Sequence, residues 1–138
     1  MATAFRLGAA VVFVTNLDRS VGFYTAVLGL TVVDRSPTAA LLGEDGGPQL
    51  VLRAFGENAV HPLGALGVQY LVWLTDSRAD LDRCTELLRK RSAYRQTHTE
   101  GDQLAVEGRD PDDLVLMLAY QPAEHPGLRS LPARVYAW

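Results

Sequence analysis

The sequence predicts an α+β fold made of two similar halves, each with the order strand, helix and three strands. Its 138 residues, of which 48% are hydrophobic, suit one compact domain with a buried core. The pattern of apolar strand, helix start and amphipathic helix restarts after 60 residues, which places Asn16 over Asp76 and Leu28 over Leu88. Agreement over a whole half indicates an internal duplication rather than coincidence.

The first half predicts one helix among four strands. Residues 9–15 are apolar on both faces, as in a strand that is covered on both sides. Asn16 is suited to cap the start of a helix. Val21, Tyr24 and Leu28 then recur at i, i+3 and i+7, which gives one apolar helix face. The remaining strands of this half are predicted at 31–34, 39–42 and 49–55.

The second half repeats this order. Residues 68–75 predict an apolar strand, and Asp76-Ser77 provides the next helix start. Leu81, Cys84 and Leu88 repeat the helical spacing, so Cys84 is expected to be a buried thiol. Further strands are predicted at 94–99, 103–107 and 114–120, the last after a turn at 109–113. Together the halves predict one domain over residues 1–138, with module 1 at about 8–55, a connector at 56–67, module 2 at about 68–120 and a tail at 121–138.

The composition excludes several classes of function. A net charge of −3, from 13 basic and 16 acidic residues, lacks the basic surface of a nucleic-acid-binding protein. No stretch approaches the ~18 apolar residues of a membrane-spanning helix, and the start lacks the pattern of a signal peptide. The single cysteine allows no intrachain disulfide, which is typical of a reducing compartment. We therefore expect a cytoplasmic protein without nucleic-acid or membrane partners.

Two segments carry a resemblance to a known family. The elements that match are the Asn16-Leu17 turn, Ser20, Phe23-Tyr24, Leu28-Gly29-Leu30 and, before the last strand, Asp110-Pro111-Asp112. In these elements the chain resembles the vicinal oxygen chelate superfamily, which includes glyoxalases, extradiol dioxygenases, fosfomycin-resistance enzymes and bleomycin-resistance proteins. The resemblance covers about residues 8–120. The resemblance implies tandem βαβββ modules whose strands curl into a cup-shaped mixed sheet. It also implies a homodimer and a site for a small molecule inside the cup.

The family's enzymes hold a divalent metal with ligands from the first, fourth, fifth and eighth strands. Carried over by the family's spacing, these positions fall at Ala9, Arg53, Gln69 and Met117. Ala9 has no donor atom, Arg53 is a fixed cation, and Met117 offers only a soft thioether. Gln69 alone is suited to coordinate a metal, and a slip of one residue in register would offer Tyr70 in its place. We therefore expect no metal and no cofactor.

Strand alternation predicts which side chains face into the cup. The predicted ligand-binding residues are Phe13, Arg53, Gln69, Trp73 and Met117. An apolar wall with two aromatic rings and few polar groups is typical of a small-molecule pocket. Each residue also has a structural alternative. Phe13 and Met117 suit core packing, and Trp73 suits the core or a dimer interface. Arg53 is able to form an ion pair with an acidic residue such as Glu107.

Three functional interpretations are open. The one we favour, because the strong metal ligands are missing, is a metal-free protein that sequesters an aromatic or planar small molecule, such as an antibiotic or a metabolite. It has no catalytic residues and acts in the manner of bleomycin-resistance proteins. The second is a lyase-, dioxygenase- or isomerase-like enzyme with metal-free chemistry, for which His98, Glu107 and Tyr70 are candidates. The third is a dimeric structural module whose cup is filled by its own side chains.

Overall fold

The computed structural model describes residues 7–44, 47–56, 68–100 and 103–122. The chain divides into two compact units, Met1–Val60 and His61–Trp138, and each contains one module. Module 1 consists of β1 (Ala9–Val14), α1 (Leu17–Val27), β2 (Thr31–Arg35), β3 (Ala39–Gly43) and β4 (Gln49–Ala54). Module 2 consists of β5 (Tyr70–Thr75), α2 (Arg78–Lys90), β6 (Tyr94–Glu100), β7 (Gln103–Arg109) and β8 (Val115–Tyr120).

This order of elements confirms the predicted α+β fold of two tandem βαβββ modules. That both modules belong to one domain stays a prediction. Most of the predicted connector, at 57–67, and most of the predicted tail, at 123–138, lie outside the described residues.

Module 1 is a mixed sheet with a helix over one face. Its described strands lie in the order β1-β4-β3-β2, with β1 parallel to β4 and the other pairs antiparallel. The helix α1 begins after Asn16, whose side-chain oxygen accepts the Arg19 backbone N–H at 2.9 Å. The side chains that fill the space between α1 and the sheet are almost completely buried, namely Val27, Leu42, Leu50 and Leu52. The helix α1 therefore covers the face of the sheet that carries these leucines.

Module 2 has the same arrangement. Its described strands lie in the order β5-β8-β7-β6, with β5 parallel to β8. The helix α2 begins after Ser77, whose hydroxyl oxygen accepts the Asp80 backbone N–H at 3.1 Å. A Cβ atom added at Gly108 of β7 would lie 2.9 Å from the Ala93 carbonyl oxygen and 3.1 Å from Cδ1 of Leu88. Because Leu88 belongs to α2, Gly108 marks the face of the sheet that this helix covers.

The turn before β8 is built around Asp110, at the position where the sequence predicts a turn. One oxygen of Asp110 accepts the backbone N–H groups of Asp112 at 2.8 Å and of Leu114 at 2.9 Å. Asp113 has a φ of 67°, in the left-handed region that aspartate tolerates better than most residues. This turn fixes where β8 begins and therefore sets the register of Met117.

Both helices are short. The helix α1 has 11 residues and α2 has 13. Neither of these helices, in the part of the chain that the structure describes, is long and apolar enough to cross a membrane. The cytoplasmic location stays a prediction.

Candidate functional site

Each sheet has a face under its helix and an opposite face, which we call the helix-free face. Side chains alternate along a strand, and register partners on neighbouring strands lie on the same face. The helix-free face of module 1 carries Val11, Phe13, Val51 and Arg53, and that of module 2 carries Val72, Ala105, Glu107 and Met117. These two faces are the candidate surfaces for a ligand.

The helix-free face of module 1 exposes two stacked phenylalanine rings beside an arginine. The ring centroids of Phe13 and Phe55 lie 4.7 Å apart at an interplanar angle of 11°. Phe13 is 55% exposed and Phe55 is 62% exposed. Arg53, also exposed, is the register partner of Phe13. Phe13 and Arg53 thus lie where alternation predicts, and their role in ligand binding stays a prediction.

Trp73 lies on the face of module 2 that α2 covers, so its predicted direction into a ligand site is wrong. Its register partner is Leu118, and the neighbouring pair of Leu71 and Leu116 shares this face two residues earlier. Leu116 pairs in turn with Gly108, which lies against α2. Trp73 therefore packs on the helix side of the sheet.

The predicted direction of Gln69 into a ligand site is wrong for the same reason. Gln69 directly precedes β5, and alternation places it on the same side of the sheet as Trp73. Tyr70 and Val72 take the predicted places on the helix-free face, where they pack against the apolar cluster of Ala105, Met117 and Ala119. The physical reason is that β5 is apolar on both faces, so its residues alone do not distinguish the two registers. Tyr70, and not Gln69, therefore faces away from the helix, which corresponds to a shift of one residue in the register of β5.

Met117 lies on the helix-free face of module 2, in the direction that alternation predicts. It is almost completely buried and forms an apolar cluster with Ala105 and Ala119. Across the sheet Met117 pairs with Glu107, and Glu107 pairs with Gln96. The apolar cluster therefore continues into a polar edge, formed by Gln96, Glu107 and the adjacent His98.

The polar edge contains a buried histidine–carboxylate pair. Nε2 of His98 lies 3.4 Å from Oε1 of Glu107, and Nε2 of Gln96 donates to the same oxygen at 3.3 Å. The side chains of His98 and Glu107 are only 9% and 8% exposed. A buried, hydrogen-bonded pair of this type is suited to hold or move a proton. The register of the β6–β7 hairpin pairs Glu100 with Gln103. Counting back from this pair places His98 and Glu107 on one face of the sheet.

The residues at the four positions of the family's metal site do not fit a divalent metal. Ala9 has no donor atom, and the fixed positive charge of Arg53 repels a cation. The thioether of Met117 is a soft ligand within an apolar cluster. On the fifth strand Tyr70 takes the place of Gln69, and its phenol contributes at most one oxygen, as the amide of Gln69 would. Among the described residues, no three His, Cys, Asp or Glu side chains come together in a way that suits a metal ion.

Cys84 is a buried residue of α2, as the helical spacing predicts. Burial raises the pKa of its thiol, against a smaller opposing effect from the positive charge of Arg83. The thiol is therefore neutral at physiological pH, which does not suit a nucleophile.

Two tandem βαβββ modules, each a mixed sheet with a helix over one face, define the architectural class of the vicinal oxygen chelate proteins. The chain belongs to the Glyoxalase/Bleomycin resistance protein/Dioxygenase superfamily, whose family model matches residues 6–118. This match confirms the resemblance seen in the sequence. No curated protein matches the chain.

Solved structures with the same fold carry different functional names. A glyoxylase/bleomycin resistance protein/dioxygenase domain from Frankia sp. EAN1pec is 24% identical with a TM-score of 0.73, over 86% of this chain and 98% of that chain. Oxidase ChaP-H1 is 22% identical with a TM-score of 0.69, over 86% and 98%. Lactoylglutathione lyase from Agrobacterium tumefaciens is 19% identical with a TM-score of 0.63, over 83% and 92%. At these identities the likeness shows the fold alone.

Proposed function

We propose that this protein is a metal-free small-molecule-binding protein of the glyoxalase/bleomycin-resistance type, which sequesters an aromatic or planar ligand such as an antibiotic or a metabolite. The observation that carries the proposal is the exposed, stacked pair of Phe13 and Phe55 beside Arg53. Contiguous exposed apolar side chains are typical of binding surfaces. The poor fit of the family's metal positions supports binding without metal chemistry.

The two phenylalanine rings favour a flat aromatic ligand. Aromatic pairs stack at centroid separations of roughly 4.5–7 Å. Such a pair contributes about 0.5–1.5 kcal/mol of favourable free energy in addition to that from the burial of apolar area. Phe13 and Phe55 already lie nearly parallel, so they present ring surface without reorganisation. Arg53 favours ligands with carboxylate or carbonyl oxygens, because a guanidinium group binds such oxygens through parallel hydrogen bonds.

The proposal is tested by NMR titration of the full chain with naphthoate, a planar aromatic carboxylate. Cyclohexanecarboxylate is the matched ligand control, because it keeps the charge and lacks the planar ring. We expect Phe13→Ala to weaken naphthoate binding about 10-fold, since stacking and burial at this ring are lost. Phe13 is exposed, so this variant should retain its fold.

Val32→Ala is the matched control variant, because Val32 is an exposed apolar residue of the same sheet at 40% exposure. Val32 pairs with the buried Leu42 and therefore lies on the other face. It should bind naphthoate as the natural chain does. Equal weakening by both substitutions, or no dependence on Phe13, would contradict the proposed surface.

A second candidate function is acid–base catalysis by a metal-free enzyme of the same superfamily, and the buried pair of His98 and Glu107 favours it. In this function His98 takes a proton from one atom of a substrate and returns it to another, as in an isomerisation. Glu107 stabilises the imidazolium that forms in between. The two functions differ in the fate of the ligand, because an enzyme converts it and a binding protein does not.

Successive NMR spectra of a bound ligand therefore distinguish the two candidates. Conversion that is lost in His98→Gln, with binding retained, would establish the enzyme. A ligand that stays unchanged with the natural chain supports sequestration.

A further inference from the structure

Two glutamines occupy one end of the helix-free face of module 2. Gln103 is the first residue of β7, and Gln121 directly follows β8, where its backbone N–H donates to the Thr75 carbonyl oxygen at 3.0 Å. The antiparallel register pairs Leu104 with Tyr120, so its continuation by one residue sets Gln103 opposite Gln121. By alternation both glutamines share the face of the apolar cluster and the polar edge.

Both glutamine side chains are buried with a polar atom that is unsatisfied. Gln103 is 6% exposed and Gln121 is 5% exposed. Within the described ranges, Oε1 of Gln103 and Nε2 of Gln121 are buried atoms without a hydrogen-bond partner. Their neighbours along the face are Ala105 and Ala119, whose side chains have no polar atoms. Such atoms are uncommon in folded proteins, because they lose hydrogen bonds to water without a replacement.

We infer that Gln103 and Gln121 form an amide-recognition subsite for the edge of a planar ligand with adjacent N–H and C=O groups. Lactams, imides and carboxamides have this edge. Oε1 of Gln103 accepts the ligand N–H, and Nε2 of Gln121 donates to the ligand carbonyl oxygen. The subsite goes beyond the proposed function, because it is built from module 2 alone and does not use the phenylalanine pair.

The unsatisfied atoms are buried, so the proposed subsite requires the two side chains to rotate before a ligand binds. Both residues lie at strand ends, so this rotation does not require the sheet to open. The competing explanation is that the two amides pair with each other. The two explanations predict opposite effects on stability when one glutamine is removed.

Carbostyril, a planar lactam, and N-methylcarbostyril, which lacks the N–H donor, form a matched pair of probes for NMR titration of the full chain. We expect carbostyril to bind about 10-fold more tightly, because the methyl group prevents the hydrogen bond to Gln103. Gln103→Met should abolish this preference. Gln121→Met should weaken both probes, since both keep the carbonyl group. Thr99→Val, an exposed change on the other face of the same hairpin, should alter neither affinity.

Three outcomes overturn the subsite: equal affinity for the two probes, carbostyril affinity unchanged in both glutamine variants, and no binding of carbostyril. The proposed function is tested separately with naphthoate and Phe13→Ala. Naphthoate binding that depends on Phe13, together with equal affinity for the two lactam probes, therefore refutes the subsite alone. Failure of all three compounds to bind refutes both.

Thermal unfolding of the ligand-free chain gives a readout that needs no ligand. Gln103→Met should raise Tm by about 3–5 °C, because an unsatisfied buried acceptor is replaced by an apolar side chain of similar size. A decrease of similar size would show that Gln103 and Gln121 pair with each other, and would overturn the inference.

Discussion

Gly108 is the position at which one added methyl group tests the assignment of the faces of module 2. In Gly108→Ala the new Cβ would lie 2.9 Å from the Ala93 carbonyl oxygen, and 3.1 and 3.2 Å from the two terminal carbons of Leu88. Leucine carbons are able to move by side-chain rotation, but a backbone oxygen is not. Either β7 or the segment that follows α2 must therefore shift.

Overpacking of this kind costs about 1–3 kcal/mol of unfolding free energy. For a chain of 138 residues, each kcal/mol corresponds to roughly 3–4 °C in Tm. We therefore expect Gly108→Ala to lower Tm by about 3–12 °C, measured by calorimetry and checked by urea denaturation.

Gly22→Ala is the matched control, because an added Cβ at Gly22 in α1 has nothing within 4 Å. This change should raise the unfolding free energy by about 0.5–1 kcal/mol, since alanine is the better helix former. If Gly108→Ala is neutral or stabilising, α2 does not lie against Gly108. The placement of Trp73 under the helix, and of Glu107 on the opposite face, would then be wrong.

Three further predictions concern the helix start, the polar edge and the assembly. Asn16→Ala should lower the unfolding free energy by about 1 kcal/mol in urea denaturation, because the Arg19 N–H loses its acceptor, whereas Asn16→Asp should not. His98→Leu should lower it by about 1–3 kcal/mol, because Glu107 stays buried with one partner fewer. Adding Glu107→Leu should recover part of that loss, and strictly additive effects would contradict the pairing. Light scattering should give twice the 15.1 kDa chain mass for the homodimer expected from the family, and a single chain mass would refute it.

The helices follow from local signals in the sequence. Asn16 and Ser77 each place a side-chain oxygen where it accepts a free N–H of the first turn. Apolar residues at the helical spacing then fix the face that each helix buries, as Leu81 and Leu88 show in α2. These interactions lie within a few residues of each other along the chain, so the sequence is sufficient to predict them.

The faces of the strands are predictable only where polar residues mark them. In β4, Gln49 and Arg53 alternate with the buried Leu50 and Leu52. This alternation predicts which side chains of β4, and of its parallel partner β1, lie on each face of the sheet. No such alternation marks β5, so the direction of Trp73 depends on its pairing with β8. Strand pairing is a long-range contact, and a single residue of register reverses every side chain.

Counting along β6 from its first residue does not predict the contact between His98 and Glu107, for a related reason. The pairing of β6 with β7 shifts register between Tyr94 and Gln96, so counting from the start of β6 gives the wrong partners. The pairing of Glu100 with Gln103 at the other end of the hairpin is regular and leads to the correct face. The two unsatisfied glutamines of module 2 leave no trace in local patterns, because burial of their amides is a property of the folded sheet.

The most direct test of metal-free binding is an NMR titration with naphthoate before and after treatment of the protein with EDTA. We predict the same Kd in both titrations, with ligand-dependent shifts in the ring signals of Phe13 and Phe55. Loss of binding after EDTA, with recovery on addition of a divalent metal, would contradict the proposed function.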